Sequence, residues 1–261
     1  MTIQDTDSPF NLLHQFNPAV IYAYFNLDEY ETLITPEYLR VERRKDNKVF
    51  LLNNFVEADQ VPIDKDATVY SKIKLEGSKS VKEFIYSLKS IFEKPDKQVR
   101  RGIKIGERVQ FDNNFTQEEL DTVFDGWNEM KRSDPKVYQI LFDDKRYRRC
   151  FALKEKGFDI YQKLIRVNGK PYGAIAFALG KDVAFELAFV SLYKDKEMKI
   201  INDLNECIII NCFYDLYKNY CIKYVNPGQD AGIKGLKIFK NKFTSTPVQF
   251  YTKKISVDKK G

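Results

Sequence analysis

Residues 222–228 read IKYVNPG, and residues 232–243 read GIKGLKIFKNKF. The first run is typical of a short strand that the Asn-Pro-Gly group terminates. The second run predicts a helix, because its large apolar side chains share one face at helical spacing: Ile233, Leu236, Phe239 and Phe243. A strand that gives way to a helix can hold a ligand, since the first turn of a helix leaves backbone N–H groups without partners. This pattern alone names no reaction.

The residues before this stretch predict a meander of three antiparallel strands. Residues 159–167 alternate apolar and polar side chains, residues 171–179 are an apolar run, and the two are joined by Asn168 and Gly169, a strong hairpin signal. A second turn leads into residues 183–191. Helical spacing then runs from residue 197 to 218, and a strand at 220–225 is expected to lie parallel to 183–191, because a crossover helix joins them.

The first half of the chain predicts further strands, followed by helices. Residues 20–25 have the composition of a strand, residues 39–44 and 49–52 predict a hairpin that turns near Asn47, and residues 68–74 predict another strand. Residues 80–92 and 145–156 have helical spacing, and the latter helix begins with a basic cluster and is closed by Gly157. A capping box at Thr116 predicts a helix through Met130.

We therefore predict an α/β (α+β) fold with a mixed, mostly antiparallel central sheet flanked by helices. Residues 1–78 form an N-terminal β-rich subdomain in this division, and residues 79–261 form the second domain. Residues 1–18 are expected to be an extended arm. With 261 residues and 43% hydrophobic side chains, the chain is long enough and apolar enough to build a sizeable core.

Composition excludes several kinds of site. The single histidine, His14, argues against a histidine-based triad and a multi-histidine metal centre. The four cysteines lack the paired spacing of a zinc site, so we expect reduced core residues and no metal: Cys150, Cys207, Cys212 and Cys221. No signal peptide or membrane span is recognisable, which predicts a cytoplasmic protein. The net charge of +6 fits an anionic partner, or simply solubility.

Two segments resemble one protein family. The Asn that closes the strand at 226 and the FKNKF run at 239–243 resemble the C-terminal half of the GCN5-related N-acyltransferase (GNAT) superfamily. Residues 97–109, KQVRRGIKIGERV, are similar to the helix that opens the transferase domains of its FemAB and phosphatidylglycerol-lysyltransferase type. The resemblance spans roughly residues 90–255. It implies acyl transfer to an amine, and it offers a degenerate GNAT-like copy as the alternative for residues 1–78.

The resemblance also suggests site residues. Glu186, the one carboxylate of the 183–191 strand, stands where the family often has a polar cleft residue that serves as general base; a solvated strand face is the alternative. Asn226 matches the Asn that contacts the donor. Phe239 stands where many relatives have a Tyr acid. Four tyrosines nearby in sequence could replace it, of which Tyr224 is our candidate: Tyr214, Tyr217, Tyr220 and Tyr224. Three glycines would let backbone approach the donor, although turn formation explains them equally well: Gly228, Gly232 and Gly235.

One departure from the family concerns the donor. The glycine-rich pyrophosphate loop should fall at residues 193–197, but these read YKDKE and contain no glycine. The donor is therefore either aminoacyl-tRNA or an acyl-CoA bound in an atypical loop. A basic run would contact nucleic acid, unless it is only a solvated helix face: Arg100, Arg101, Lys104 and Arg108.

Two functions from different classes follow. The first is an N-acyltransferase that moves an acyl or aminoacyl group onto an amine of a peptide, lipid, metabolite or amino-modified nucleobase. The second is a catalytically silent GNAT-like module that binds nucleic acid or a protein partner through its basic face. Loss of the glycine loop and of the Tyr favours the second, whereas Glu186, Asn226 and the core topology favour the first.

Overall fold

Eleven strands and four helices make up the part of the chain that the computed structural model describes. The described residues are 17–24, 29–34, 38–53, 56–57, 67–75, 83, 105, 108–132, 144–198, 203–227, 239, 243 and 248–257. The helices are α1 (Pro18–Tyr24), α2 (Gln117–Arg132), α3 (Asp144–Ala152) and α4 (Leu204–Tyr220). The strands are β1 (Tyr30–Ile34), β2 (Tyr38–Arg43), β3 (Lys48–Asn53), β4 (Val56–Glu57), β5 (Ala67–Lys74), β6 (Val109–Asp112), β7 (Ile160–Val167), β8 (Lys170–Leu179), β9 (Val183–Ser191), β10 (Tyr224–Asn226) and β11 (Val248–Val257).

The strands join into one mixed sheet with the order β1-β2-β3-β11-β5-β10-β9-β8-β7-β6, and β4 also pairs with β11. Among the described pairs, β9 and β10 are parallel and the others are antiparallel. The predicted mixed, mostly antiparallel sheet is thus confirmed. Strand β5, from the N-terminal part, lies between β10 and β11. Strand pairing therefore crosses the domain boundary proposed at residue 78, and that boundary stays a prediction.

Both predicted hairpins are present, and their turns use the residues that the sequence supplies. Asn47 has a φ of 53° between β2 and β3, and Asn168 and Gly169 have φ values of 51° and 78° between β7 and β8. Two successive residues with positive φ make the turn type whose twist matches a two-residue hairpin. Asn and Gly adopt that backbone at little cost, which is why this pair fixes the register of β7 against β8.

The central strands bury both faces. Alternate residues of β8 show this: Ile175 and Phe177 pack in the cluster beneath α4, whereas the small residues between them pack in the cluster beneath α1, α2 and α3, namely Ala174, Ala176 and Ala178. We call these the α4 face and the α2 face. The alanines leave room for α2 to lie close to the sheet, and α4 brings nine buried side chains to the other face.

Helix α2 begins where the capping box predicts. The N–H of Glu119 donates to Thr116 Oγ1 at 3.2 Å, and the N–H of Thr116 donates to Glu119 Oε2 at 3.0 Å. Arg166 on β7 then joins this helix start to the sheet edge, with Nη2 2.7 Å from Glu119 Oε1 and Nε 2.5 Å from Asp112 Oδ2. The hydrogen bonds that Glu119 accepts lower the pKa of its carboxyl group, and the bond from the Thr116 N–H has the largest effect.

The expected strand at 20–25 is wrong, because residues 18–24 form helix α1. Asn17 caps this helix, since its Oδ1 accepts the N–H groups of Ala19 at 2.9 Å and Val20 at 3.3 Å. Pro18 occupies the first helical position, where its missing N–H costs nothing. An apolar run this short does not distinguish strand from helix, and Asn followed by Pro was the overlooked signal.

Three predicted elements have different bounds. Helix α3 ends at Ala152 and turns lead on to Gly157, whose φ is 84°. Helix α4 begins at Leu204 rather than near 197, and β10 begins at Tyr224 rather than 220. Cys221, with φ of 57°, ends α4 in the left-handed conformation and is exposed, so the prediction that all four cysteines lie in the core is wrong for it.

The helices expected at 80–92 and 232–243 lie outside the described residues, apart from Glu83, Phe239 and Phe243. The same holds for most of the arm predicted at 1–18. The meander of β7, β8 and β9, the crossover helix and the parallel return of β10 are confirmed in order and in pairing.

Candidate active site

The candidate site lies where β10 stops alongside β9. Register pairs join Tyr224 to Val183, Val225 to Ala184 and Asn226 to Phe185, and β10 then ends. Strand β9 continues to Ser191, and within the described residues no strand pairs with this side of it beyond Phe185. Proline at position 227 has no backbone N–H and cannot extend the ladder by donation. Within the described residues, the two parallel strands therefore part after Phe185, and we call the edge of β9 that starts at Glu186 the opening between β9 and β10.

A β-bulge on β9 lies directly at this opening. Ala176 of β8 pairs with Ala188, and Phe177 pairs with Glu186, so Leu187 is an extra residue without a partner in β8. Bulges re-aim nearby backbone groups and often lie next to functional sites. The buried thiol of Cys150 on α3 donates to the Arg146 carbonyl at 3.2 Å, and its Sγ also lies 3.8 Å from the Leu187 carbonyl oxygen. Helix α3 therefore packs beside the bulge on the α2 face.

Glu186 occupies the first position beyond the parallel pairing and is half-buried. Its neighbours in β9, Phe185 and Leu187, belong to the α2 face, so alternation places the Glu186 side chain on the α4 face. Glu186 pairs with Phe177 of the neighbouring strand β8. Phe177 begins a series of edge-to-face ring contacts, with centroid distances of 6.1 Å from Phe177 to Phe213, 5.7 Å from Phe213 to Phe243 and 5.4 Å from Phe243 to Phe239.

Tyr224 and Asn226 project to the other face. Tyr224 packs against the cluster of the α2 face, Val225 lies in the α4 cluster, and Asn226, which is 8% exposed, returns to the α2 face by alternation. Asn226 and Glu186 are thus adjacent in register but lie on opposite sides of the sheet.

The remaining predicted site residues are only partly described. Phe239 packs half-buried on Phe243, which is a core position. Arg108 is exposed, and its Nε donates to Asn168 Oδ1 at 2.9 Å in the β7–β8 turn. Six predicted positions lie outside the described residues: Gly228, Gly232, Gly235, Arg100, Arg101 and Lys104.

The junction between β9 and α4 is capped by a carboxylate of the chain itself. Asp195 Oδ1 accepts the N–H groups of Glu197 at 2.9 Å and Met198 at 3.3 Å. Nearby, Tyr172 is buried and its hydroxyl donates to Asn205 Oδ1 at 3.0 Å. Burial raises the pKa of Tyr172, a hydrogen bond with Ser191 lowers it by a smaller amount, and the charges of Glu206 and Asp195 raise it further.

A polar cluster on the α4 face was not found from the sequence. Asp215 Oδ2 accepts the Tyr161 hydroxyl at 2.9 Å and lies 3.1 Å from Lys163 Nζ, while Asn219 Nδ2 donates to Oδ1 at 2.5 Å. Burial, followed by Cys212 and Asp215, raises the pKa of Tyr161, and burial raises the pKa of Cys212 to about 12. The overlooked signal is the alternation of β7, which puts Lys163 on the same face as Tyr161 and Ile165.

In the ranges that the structure describes, no group of three or more His, Cys, Asp or Glu side chains is placed to hold a metal ion. Among the helices of those ranges, none is long and apolar enough to cross a membrane.

Comparison with known proteins gives structures but no sequence relatives. No protein-family model and no curated protein matches the sequence. L-PGS from Bacillus licheniformis is similar with a TM-score of 0.55 at 10% identity, covering 100% of this chain and 95% of that chain. A conserved protein of unknown function from Bacteroides thetaiotaomicron has a TM-score of 0.56 at 12% identity, covering 95% and 91%.

A third similar structure is the C-terminal domain (DUF2156) of a putative lysylphosphatidylglycerol synthetase from Agrobacterium fabrum. Its TM-score is 0.50 at 12% identity, and the match covers 92% of this chain and 86% of that one. At such identities the likeness concerns the fold alone. The parallel β9–β10 pair, the crossover helix and the antiparallel meander, together with these neighbours, show that the chain has the GNAT-like fold that its sequence predicts.

Proposed function

We propose that the protein is an N-acyltransferase that moves an aminoacyl group from aminoacyl-tRNA onto an amine. The observation that carries the proposal is the opening between β9 and β10, with Glu186 as its first side chain and the Leu187 bulge beside it. The fold likeness to L-PGS supports it, because the match covers 100% of this chain and 95% of that one with a TM-score of 0.55. A cytoplasmic location follows from the donor and belongs to the same proposal.

The reaction needs little beyond positioning and one proton acceptor. The acceptor amine attacks the ester carbonyl carbon of the donor, a C–N bond forms, and the bond from that carbon to the 3′ oxygen of the tRNA breaks. Glu186 takes the proton that the amine loses. The leaving 3′ oxygen takes up a proton from solvent, because Tyr224, the candidate acid suggested by the sequence, lies on the opposite face of the sheet from Glu186. The products are an amide and deacylated tRNA.

The choice of donor rests on the junction between β9 and α4. A pyrophosphate bound there would need backbone N–H groups, but those of Glu197 and Met198 already donate to Asp195. Glu206, 8% exposed in the first turn of α4, adds a buried carboxylate where a phosphate would gain from the helix terminus. Both features oppose acyl-CoA binding in the usual loop and favour a donor that carries its acyl group on RNA.

A donor screen tests this proposal. The purified protein is heated with aminoacyl-tRNA, deacylated tRNA, acetyl-CoA and a long-chain acyl-CoA in separate samples. We expect the tRNA samples, and neither CoA ester, to stabilise the folded protein, by about 2.7 kcal/mol when the ligand concentration is one hundred times Kd. Stabilisation by a CoA ester without a response to tRNA would refute the proposed donor while leaving acyl transfer open.

The alternative is a silent binding module, and two observations favour it. Asp195 engages the N–H groups of Glu197 and Met198 in the junction, and Phe239 offers no hydroxyl group. Such a module would bind tRNA or a protein partner but transfer nothing. One assay distinguishes the two functions, because only the enzyme consumes aminoacyl-tRNA faster in the presence of an amine acceptor than in its absence.

A further inference from the structure

A basic surface lies outside the chemistry proposed above. Residues 144–156, which comprise α3 and the turn after it, have two acidic side chains, Asp144 and Glu155, against six basic ones: Lys145, Arg146, Arg148, Arg149, Lys154 and Lys156. We infer that this α3 basic surface binds the phosphate backbone of the tRNA donor. The inference rests on the proposed function, to which it adds the surface where the donor docks.

Helix α3 connects this surface to the candidate site. One side of the helix packs on β9, where Cys150 Sγ lies 3.8 Å from the carbonyl oxygen of the bulged Leu187 and Phe151 is buried in the same cluster. A helix with its side chains is about 10 Å across, so the far side of α3 lies about one helix diameter from the bulge. An RNA strand held there is within reach of the opening between β9 and β10.

Two of the arginines hold the helix in place. Arg148 forms ion pairs with Asp121 and with Asp125 of α2, the latter at 2.9 Å from Nη2 to Oδ1. Arg149 Nη2 donates to the Ala23 carbonyl of α1 at 3.3 Å. These contacts fix α3 against its neighbouring helices. The surface that it offers to a ligand is therefore rigid, which lowers the entropic cost of binding.

The exposed charge comes chiefly from lysines. Lys145, Lys154 and Lys156 are exposed, and Lys156 Nζ lies 5.1 Å from the centre of the Tyr22 ring, an interaction that leaves its charge in place. The guanidinium of Arg146 stacks on the ring of Tyr147 at 4.6 Å. Clustered cations of this kind attract phosphates and release counterions when they bind.

An acidic membrane is a different partner, and the surface fits it poorly. Helices that lie on membranes present large apolar side chains beside their basic ones. In α3 the apolar residues Cys150 and Phe151 are buried in the core, and the exposed large apolar side chains among the described residues, Tyr193 and Tyr220, belong to other elements. The surface offers positive charge without exposed apolar anchors, which suits a polyanion such as tRNA.

Salt-dependent binding tests the inference. Deacylated bulk tRNA is titrated with the full-length protein at 50–200 mM KCl, using the wild type, a Lys145→Ala/Lys154→Ala variant and a control variant, Lys170→Ala/Lys218→Ala. Both variants lose two exposed lysines, so their net charge is equal. We expect the slope of log K against log salt to fall by about 1.4 to 1.8 in the α3 variant, and to stay at the wild-type value in the control.

Three results would overturn the inference. They are equal slopes for both variants, a wild type that binds no tRNA, and binding of phosphatidylglycerol vesicles through these lysines without any tRNA binding. Transfer from charged tRNA by the wild type is measured separately. Transfer with an unaltered slope refutes the docking surface alone, whereas a reduced slope without transfer refutes the proposed enzyme alone.

Discussion

Removing the Asp215 carboxylate tests whether the polar cluster fastens α4 to the sheet. In the folded protein, Oδ2 accepts the Tyr161 hydroxyl at 2.9 Å and lies 3.1 Å from Lys163 Nζ, whose side chain is 10% exposed. Asp215→Ala removes this acceptor, and the positive charge of Lys163 then lacks the carboxylate that compensates it. Since α4 covers the face on which Glu186 lies, the result also reports on how firmly the site is supported.

The expected loss follows from burial. Removing one partner of a buried ion pair costs about 3 to 5 kcal/mol, and we take the lower end, about 3 kcal/mol, since water reaches part of Asp215. Lys163→Met should cost about 1 kcal/mol, because Asp215 keeps the hydrogen bonds from Tyr161 and Asn219. The double variant Lys163→Met/Asp215→Ala should also cost about 1 kcal/mol, which gives a coupling energy of about 3 kcal/mol.

Urea unfolding, followed by the fluorescence of Trp127, measures these free energies, and the slope against urea should not change between variants. The control is Asp182→Ala, which removes the exposed pair with Lys223 at 3.2 Å and should cost less than about 1 kcal/mol. The reasoning is refuted if Asp215→Ala costs no more than this control, or if the double variant costs the sum of the two single ones.

Two further predictions concern the sheet and the cysteines. Gly173→Ala places a Cβ 2.7 Å from the Val190 carbonyl oxygen, so β8 and β9 must move apart, and we expect a loss of about 2 kcal/mol in urea unfolding. Gly126→Ala, whose Cβ meets only the movable end of a side chain at 2.9 Å, should be close to neutral; equal losses would contradict this account. Iodoacetamide at pH 8 should modify one thiol of the folded protein, the exposed Cys221, as counted by intact-mass spectrometry, and Cys221→Ser should abolish the modification. Rapid modification of a second thiol would show that the core is open at one of the buried cysteines, Cys150, Cys207 or Cys212.

Much of the fold was predictable because several local signals agree with the tertiary structure. The Asn168 and Gly169 turn, the capping box at Thr116 and the apolar run of β8 each determine one element, and the crossover rule then gives the parallel pair. The error at 20–25 has a physical cause. A short run of β-branched and aromatic residues forms a helix here because Asn17 caps it and the core buries it.

The candidate site was less predictable. Residues Glu186 and Asn226 could be singled out by position, but the bulge at Leu187 depends on pairing with β8, which no local pattern encodes. The cluster at Asp215 unites residues from β7 and α4 that are far apart in sequence. The Asp195 cap was also invisible, although the absence of glycine at 193–197 already indicated an unusual junction.

The central claim is that the opening between β9 and β10 transfers an aminoacyl group with Glu186 as the base. The most direct measurement follows the labelled amino acid from aminoacyl-tRNA to a panel of amines, with the wild type, Glu186→Gln and the control Glu129→Gln, whose carboxylate is exposed on α2. We predict transfer to at least one amine, a loss of about 100-fold or more in kcat for Glu186→Gln, and wild-type turnover for the control. Equal turnover by all three proteins, or no transfer to any amine by the wild type, would contradict the claim.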